Sequence, residues 1–144
     1  MYQKFDAVTK TVLASAEEET IRLSHSLISP VHIMLALLKS RCNAVTLMAQ
    51  MLRTGDAENI RLEIERQIGT GPEQRIGGPI TLSDRAREVI RLAGLEVIAL
   101  GDSELATQHI LLGLLRVNGV VSSVLGKYGI SVDSLREQMK RLEV

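Results

Sequence analysis

Mainly apolar residues near the N-terminus recur at intervals of three and four, the pattern of an amphipathic helix. The same intervals return in the second half of the chain. Each stripe predicts one helix with a buried face, and the shared intervals predict equivalent places in the fold. The first stripe is Phe5, Thr9, Val12, Ala16, Thr20 and Leu23, and the second is Leu82, Ala86, Val89, Ala93, Val97 and Leu100.

A nearly uniform apolar run also occurs twice, at His32 to Leu38 and at His109 to Leu115, and the two copies are 77 residues apart (109 − 32 = 77). The same shift superposes the two stripes, with no insertion or deletion between Phe5 and Met51. A tandem repeat of this length predicts two similar units that pack on each other. We therefore expect any binding surface where the units meet.

Each unit is predicted to hold four helices, which makes the protein all-α with eight helices in two pseudo-symmetric repeats. After the first stripe, Ser29 and Pro30 are suited to begin a second helix that is buried nearly all round. Thr107 is predicted to cap the equivalent helix, and Asp56 to cap the fourth helix of the first repeat. The remaining predicted helices are 43–52, 56–68, 120–127 and a last one after Ser131, with Leu135, Met139 and Leu142 buried.

A segment rich in glycine and proline, residues 69–81, separates the repeats and lacks any apolar period. We therefore assign 1–68 to the first repeat, 69–81 to a surface linker and 82–144 to the second repeat, all within one domain of 144 residues. The linker is predicted to be the most mobile internal segment, because it offers few apolar anchors.

Composition narrows the function classes. Aromatic residues make up only 2% of a chain that is 45% hydrophobic, which is typical of packed helices. The 17 basic and 17 acidic residues cancel, so a nucleic-acid partner is not expected. The single cysteine, Cys42, and the absence of a signal-peptide core at the start predict a cytoplasmic protein. No apolar run reaches the roughly 20 residues of a membrane span, so no membrane association is expected.

The chain also lacks the spacing that chemistry requires. It has no glycine-rich loop ending in Gly-Lys-Ser/Thr for phosphate binding. His32 and His109 occupy equivalent places in separate repeats, and no His or Cys lies at metal-ligand spacing from either. Both are predicted to be structural or partly exposed histidines at helix starts, and Cys42 to be a plain thiol. We expect a binding module without catalysis, metal or cofactor.

Four segments carry a resemblance to a known family. They are the helix end Arg22 to His25, the run Ser29 to Leu38, the helix start Ser83 to Ile90, and the run Thr107 to Arg116. With these residues the chain resembles the N-terminal domain of Clp/Hsp100 AAA+ unfoldases, most closely the ClpC type. The last run is the most specific, being close to the family's Thr-Glu-His-Ile-Leu-Leu-Gly. The resemblance covers essentially the whole chain and implies an all-α double repeat.

The resemblance implies a domain that recruits protein substrates and adaptors of the MecA or ClpS type to an AAA+ ring and that is monomeric when isolated. In ClpC-like domains, two equivalent pockets hold phosphoarginine between a helix-start hydroxyl or acid and a glutamate. The corresponding positions here are Asp6 with Val31, and Ser83 with Gln108. Both glutamates are replaced, so we expect weak phosphoarginine binding and recognition of unmodified segments or adaptors through the apolar groove between the repeats.

Two function classes stay open at this point. One is a docking domain of an ATP-dependent unfoldase, which a longer gene with Walker motifs would support. The other is a freestanding regulatory protein that competes for adaptors or substrates. A helical DNA-binding protein is a third possibility, disfavoured by the zero net charge.

Overall fold

A computed structural model of the chain describes residues 4–71 and 79–142. Eight helices lie in these residues, so the predicted all-α class with two sets of four helices is confirmed. The first repeat contains α1 (Ala7–Arg22), α2 (Pro30–Lys39), α3 (Asn43–Met51) and α4 (Asp56–Ile68); the second contains α5 (Asp84–Leu100), α6 (Thr107–Arg116), α7 (Val120–Lys127) and α8 (Val132–Leu142).

The second helix of each repeat forms the centre of the core. In α2 every residue from Val31 to Leu37 is buried, and α6 is buried from Ile110 to Leu115. Helix α1 packs along α2 and α5 packs along α6, which places the buried faces of the two stripes against the central helices. Because α2 also contacts α5, α6 and α7, the two repeats share one hydrophobic core.

The two central helices differ in how closely the first helix of the repeat approaches them. A Cβ atom added at Gly113 in α6 would lie 2.3 Å from the Val89 carbonyl oxygen in α5. The equivalent position in the first repeat (113 − 77 = 36) is Ala36, which is buried without such an overlap. The backbones of α5 and α6 are therefore in direct contact, and only glycine fits at residue 113.

Two short parallel strand pairs connect the repeats. Strand β1 (Lys4–Phe5) pairs with β4 (Glu104–Leu105), and β2 (Leu27–Ile28) pairs with β3 (Thr81–Leu82). Each pair joins the entry of one repeat's first helix to the entry of the other repeat's central helix. The sequence patterns do not predict these strands, because two residues are too few to show an alternation of polar and apolar positions.

Two predicted helix caps are wrong. Helix α6 begins with Thr107 as its first helical residue, and Ala106 is the capping residue. The Thr107 hydroxyl oxygen instead accepts a hydrogen bond from the Ala44 backbone N–H at 3.2 Å. Helix α4 is capped by Gly55, whose φ of +90° favours glycine, and Asp56 accepts from the Arg53 N–H at 2.9 Å. In both cases a side chain suited to capping serves a different backbone group.

The predicted linker at 69–81 falls partly on residues 72–78, which lie outside the described residues, so its mobility remains a prediction. The described ends of this segment both attach to the connection between α1 and α2. The Gly71 N–H donates to the Leu23 carbonyl at 2.8 Å, and Thr81 belongs to the pair β2–β3. The predicted start of the second repeat at residue 82 therefore lies within β3.

Within residues 4–71 and 79–142, no single helix is long and apolar enough to cross a bilayer. The consecutive helices α6 and α7 together have the length and apolar composition of a membrane span, but their axes are bent by 98° at the junction.

Candidate functional site

The strand pairs bring the four predicted site residues together in a different combination from the one the resemblance implied. The Asp6 N–H donates to the Leu105 carbonyl at 3.0 Å, which places Asp6 beside the start of α6 and its second residue, Gln108. The Ser83 N–H donates to the Ile28 carbonyl at 2.9 Å, which places Ser83 beside the start of α2 and Val31.

The expected pairing of Asp6 with Val31, and of Ser83 with Gln108, is therefore wrong. The physical reason is that each first helix enters next to the central helix of the other repeat. We call the two observed combinations the Ser83–Val31 site and the Asp6–Gln108 site. The weak phosphoarginine binding expected from the sequence remains a prediction for both sites.

The Ser83–Val31 site borders a cavity of about 170 Å³ between the repeats. Val31 lines this cavity from α2, and Arg85 lines it from the first turn of α5. The Arg85 Nη1 donates to the Asn118 carbonyl at 2.6 Å. The Ser83 hydroxyl oxygen accepts from the Ala86 N–H at 3.1 Å and so caps α5. This site thus presents an apolar wall, a helix-start hydroxyl and one guanidinium.

The Asp6–Gln108 site has the opposite character. Asp6 caps α1, because its Oδ1 accepts from the Thr9 N–H at 2.8 Å. The Gln108 Oε1 atom is buried and has no hydrogen-bond partner among the described residues, and the same holds for the Thr9 hydroxyl. This site therefore presents a carboxylate and an amide oxygen with remaining capacity to accept a hydrogen bond.

The two helix-start histidines, His32 and His109, are buried and serve as caps. The Nδ1 atom of His32 accepts from the Ser29 N–H, and that of His109 accepts from the Ala106 N–H, each at 2.9 Å. Their Nε2 atoms carry the proton as a consequence. His32 Nε2 lies 2.8 Å from His25 Nδ1, and His109 Nε2 lies 2.7 Å from an Asp102 oxygen. A structural role, one of the two alternatives from sequence, fits both residues.

The pair His25–His32 makes the stability of the domain depend on pH. Burial lowers the pKa of His32 from 6.5 to about 4, and the neighbouring His25 adds to this effect. The unfolded chain therefore takes up a proton at His32 that the folded chain does not, as the pH falls from 6.5 towards 4. The stabilisation that neutral His32 gives the folded state is fully present above pH 6.5, and it is lost as the pH falls from 6.5 to about 4.

We expect the unfolding free energy to fall by about 2 kcal/mol between pH 7.5 and pH 5 because of His32 alone. The matched control is His32→Gln, since glutamine at this helix position can still bond the capping N–H but does not titrate. Urea unfolding at both pH values should give a smaller pH dependence for His32→Gln. Equal pH dependence in the two proteins would contradict the assignment.

Sequence reasoning missed two buried carboxylates. Glu19 and Glu96 occupy equivalent positions (96 − 19 = 77) and are 5% and 2% exposed. Glu19 contacts Arg22 at 3.0 Å and Lys39 at 2.8 Å. Burial raises the pKa of Glu19, but the hydrogen bonds from Arg22 and Lys39 outweigh burial and lower it overall. The sequence does contain a signal for these ion pairs, because an acidic and a basic residue both recur at the offset of 77. Glu19 aligns with Glu96, and Lys39 aligns with Arg116 (116 − 39 = 77).

Glu96 is held by a cation from a different helix. Arg136 of α8 donates to both Glu96 oxygens, with Nε to Oε1 at 2.9 Å and Nη2 to Oε2 at 2.8 Å. Arg116 is a more distant partner at 3.6 Å. Its charge pairing makes Glu96 a structural group. Within the residues the structure describes, no three His, Cys, Asp or Glu side chains are arranged to hold a metal ion.

These features define a helical double repeat whose candidate sites lie where the repeats exchange short strands. The chain belongs to the Clp N-terminal domain family, since residues 4–128 match the Clp repeat (R) N-terminal domain. It is 38% identical over 143 residues to the "Negative regulator of genetic competence ClpC/MecB" of Bacillus subtilis. The aligned region covers 99% of this chain and 17% of that protein. The chain thus spans about a sixth of that relative's length.

Solved structures show the same fold. The Hsp104 N-terminal domain from Candida albicans superposes with a TM-score of 0.80 at 24% identity, covering 98% of this chain and 92% of that one. A ClpV N-domain in complex with a VipB peptide superposes with a TM-score of 0.71 at 22% identity, covering 94% of this chain and 84% of that one.

Proposed function

We propose that the chain is a docking domain that recruits protein substrates and adaptors to an ATP-dependent Clp unfoldase in the cytoplasm. The observation that carries this proposal is the cavity of about 170 Å³ between the repeats, beside the Ser83–Val31 site. Family membership supports it, as does the ClpV N-domain, which is known in complex with a VipB peptide. The partners are proteins, including adaptors of the MecA or ClpS type, and the AAA+ ring is the acceptor of what they deliver.

The proposal assigns no catalytic step to this domain. The polar side chains that would be candidates for chemistry are engaged in holding the fold. Ser83 and Asp6 cap helices, His32 and His109 accept capping N–H groups, and Glu96 is paired with Arg136. What remains available at the junction is a surface suited to binding.

The test is calorimetric titration of the chain with a purified adaptor of the MecA type. We expect binding that is lost in Val120→Phe, since Val120 lines the cavity and is only half-buried, so that the larger ring fills the cavity while the fold persists. Unchanged thermal stability checks that the variant is folded. Binding that survives the filled cavity would move the docking surface elsewhere, and failure of every adaptor and peptide to bind would overturn the proposal.

The alternative is a freestanding protein of the same fold that competes with such domains for adaptors. It would bind the same partners, so adaptor titration does not distinguish it. The length of the reading frame does: Walker motifs encoded after residue 144 support the docking domain, and a stop codon there supports the competitor.

The corrected pairing changes which substitution should restore phosphoarginine binding. From sequence, Gln108→Glu is the expected choice, because Gln108 is assigned to the same pocket as Ser83. The Ser83 N–H donates to the Ile28 carbonyl, near the start of α2, which supports a shared site for Ser83 and Val31. In such a site Val31→Glu would supply a carboxylate for the guanidinium, and the Ser83 hydroxyl would serve the phosphate. In the Asp6–Gln108 site, Gln108→Glu would also supply a carboxylate for the guanidinium. The ligand's phosphate would then lie against Asp6, which has like charge.

We therefore expect Val31→Glu to strengthen phosphoarginine binding about tenfold, the value of one charge-assisted hydrogen bond, and Gln108→Glu to change it less. Calorimetric titration of free phosphoarginine into both variants measures the difference. A larger gain in Gln108→Glu would contradict the proposed pairing of Ser83 with Val31. Tight binding by the unaltered chain at two sites would show that the family's glutamates are dispensable.

A further inference from the structure

The cavity at the Ser83–Val31 site combines an aliphatic wall with one cation. We propose that it binds an acidic segment of a protein partner, with one aliphatic side chain in the cavity and an adjacent Glu or Asp carboxylate on Arg85. This inference rests on the proposed docking function and specifies the chemistry of the segment that docks.

The wall sets the size and polarity of the occupant. Six lining residues are apolar and come from both repeats: Pro30, Val31, Leu114, Val117, Val120 and Val121. A volume of about 170 Å³ suits one side chain of leucine or isoleucine size, since apolar protein cavities of about 150 Å³ bind benzene. A polar or charged side chain would lose its hydration there without gaining partners. The cavity therefore selects an aliphatic residue.

Arg85 determines which charge is favoured in the docked segment, at the residue next to the aliphatic side chain. One of its N–H groups is anchored on the Asn118 carbonyl at 2.6 Å, which holds the guanidinium at the cavity edge. A guanidinium has five N–H donors, so this anchor leaves others for a ligand. Among the described residues, no Asp or Glu lines the cavity and no carboxylate lies within 4.0 Å of Arg85. A carboxylate supplied by a partner would complete a charge-assisted pair.

The neighbouring charges on α5 are already paired, which distinguishes Arg85 from them. Arg87 lies 3.4 Å from Asp84, and Arg91 pairs with Glu88. The position equivalent to Arg85 in the first repeat (85 − 77 = 8) is Val8, and Asp6 stands where the second repeat has Ser83. The Asp6–Gln108 site therefore has no cation at the position of Arg85 and carries an acid in place of Ser83. An acidic segment is directed to one of the two pseudo-symmetric sites.

The test is fluorescence polarisation with short labelled peptides, acetylated and amidated, with Gly-Ser flanks and Glu-Leu-Glu at the centre. The comparison peptides carry Gln-Leu-Gln, Lys-Leu-Lys or Glu-Ser-Glu at the centre. At low ionic strength, about 50 mM, we expect the Glu-Leu-Glu peptide to bind at least about tenfold more tightly than each comparison peptide. Its affinity should fall as salt is added.

Arg85→Gln should weaken the Glu-Leu-Glu peptide about tenfold and remove its advantage over the Gln-Leu-Gln peptide. Arg87→Gln is the matched control, since it makes the same charge change two residues further along α5, outside the cavity lining. Val120→Phe should weaken the Glu-Leu-Glu and Gln-Leu-Gln peptides alike, with unchanged thermal stability showing that it is folded.

Equal affinity of the Glu-Leu-Glu and Gln-Leu-Gln peptides, or equal effects of Arg85→Gln and Arg87→Gln, would overturn the inference. So would a peptide with a free C-terminal leucine carboxylate that binds more tightly than the internal acidic segment. If no peptide binds while a MecA-type adaptor still does, the inference fails and the docking function stands. If the adaptor fails as well, both are wrong.

Discussion

Replacing Arg136 with alanine is expected to lower the unfolding free energy by about 3 kcal/mol, the size of effect typical of a broken buried ion pair. Glu96 is 2% exposed, and its two oxygens face the Arg136 guanidinium at 2.9 and 2.8 Å. Without Arg136 the carboxylate keeps only Arg116, at 3.6 Å, among the described residues. Removing one partner leaves a charge that is buried and poorly compensated. Urea unfolding at neutral pH measures the loss.

The matched control for Arg136 is Arg61 in the fourth helix of the first repeat. The fourth helices align at an offset of 75, which superposes the buried residues Ile60 and Leu135 and also Arg61 and Arg136 (136 − 61 = 75). Arg61 pairs with Glu58, which is 59% exposed, and with Glu65 at 2.9 Å. The carboxylates that Arg61 contacts are 59% and 20% exposed, against 2% for Glu96, and pairs with more solvated carboxylates contribute about 1 kcal/mol or less. Equal losses for Arg61→Ala and Arg136→Ala would show that the burial of Glu96 does not govern the effect.

Replacing Gly113 with alanine is expected to cost about 3 kcal/mol, at the upper end of the range for overpacking. The new methyl group would lie 2.3 Å from the Val89 carbonyl oxygen and 3.3 Å from the Ala93 nitrogen. Both neighbours are backbone atoms of α5, so a side-chain rotation cannot relieve the overlap. The gain in helix propensity, about 1 kcal/mol, does not offset it.

Gly126→Ala in α7 is the control for Gly113→Ala, because a Cβ at residue 126 meets nothing within 4 Å. Here the propensity gain acts alone, and thermal unfolding should show a stabilisation of up to about 1 kcal/mol. A Gly113→Ala protein as stable as the unaltered chain would mean that α5 and α6 can separate at no cost.

Helix positions were predictable because their signal is local and recurs. The stripe from Phe5 to Leu23 predicts α1, and its copy 77 residues later predicts α5. The central helices were predictable from their uniform apolarity, which only a buried helix tolerates. The exact capping residues were less so, because Thr107 and Asp56 satisfy the sequence pattern of a cap but bond to Ala44 and Arg53 instead.

The combination of residues at each site was not predictable from the repeat. An internal repeat shows which residues are equivalent, such as Asp6 and Ser83, but not which residues lie close together in the fold. That proximity is determined by strand pairs of two residues each, which are too short to leave a sequence pattern. The contact between Glu96 and Arg136 could not be predicted either, because the two residues are 40 positions apart and leave no local pattern.

The strand pairs have a consequence for how the two repeats are related. Under the shift of 77, β1 corresponds to β3 and β2 corresponds to β4, so the pairs β1–β4 and β3–β2 are one contact made twice in opposite directions. That reciprocity is the defining property of an isologous homodimer interface. A single repeat therefore carries both strands of this self-complementary contact. The present chain has the strand geometry of such a dimer joined into one polypeptide. Positions that exact symmetry would make identical, such as Val8 and Arg85, therefore differ within it.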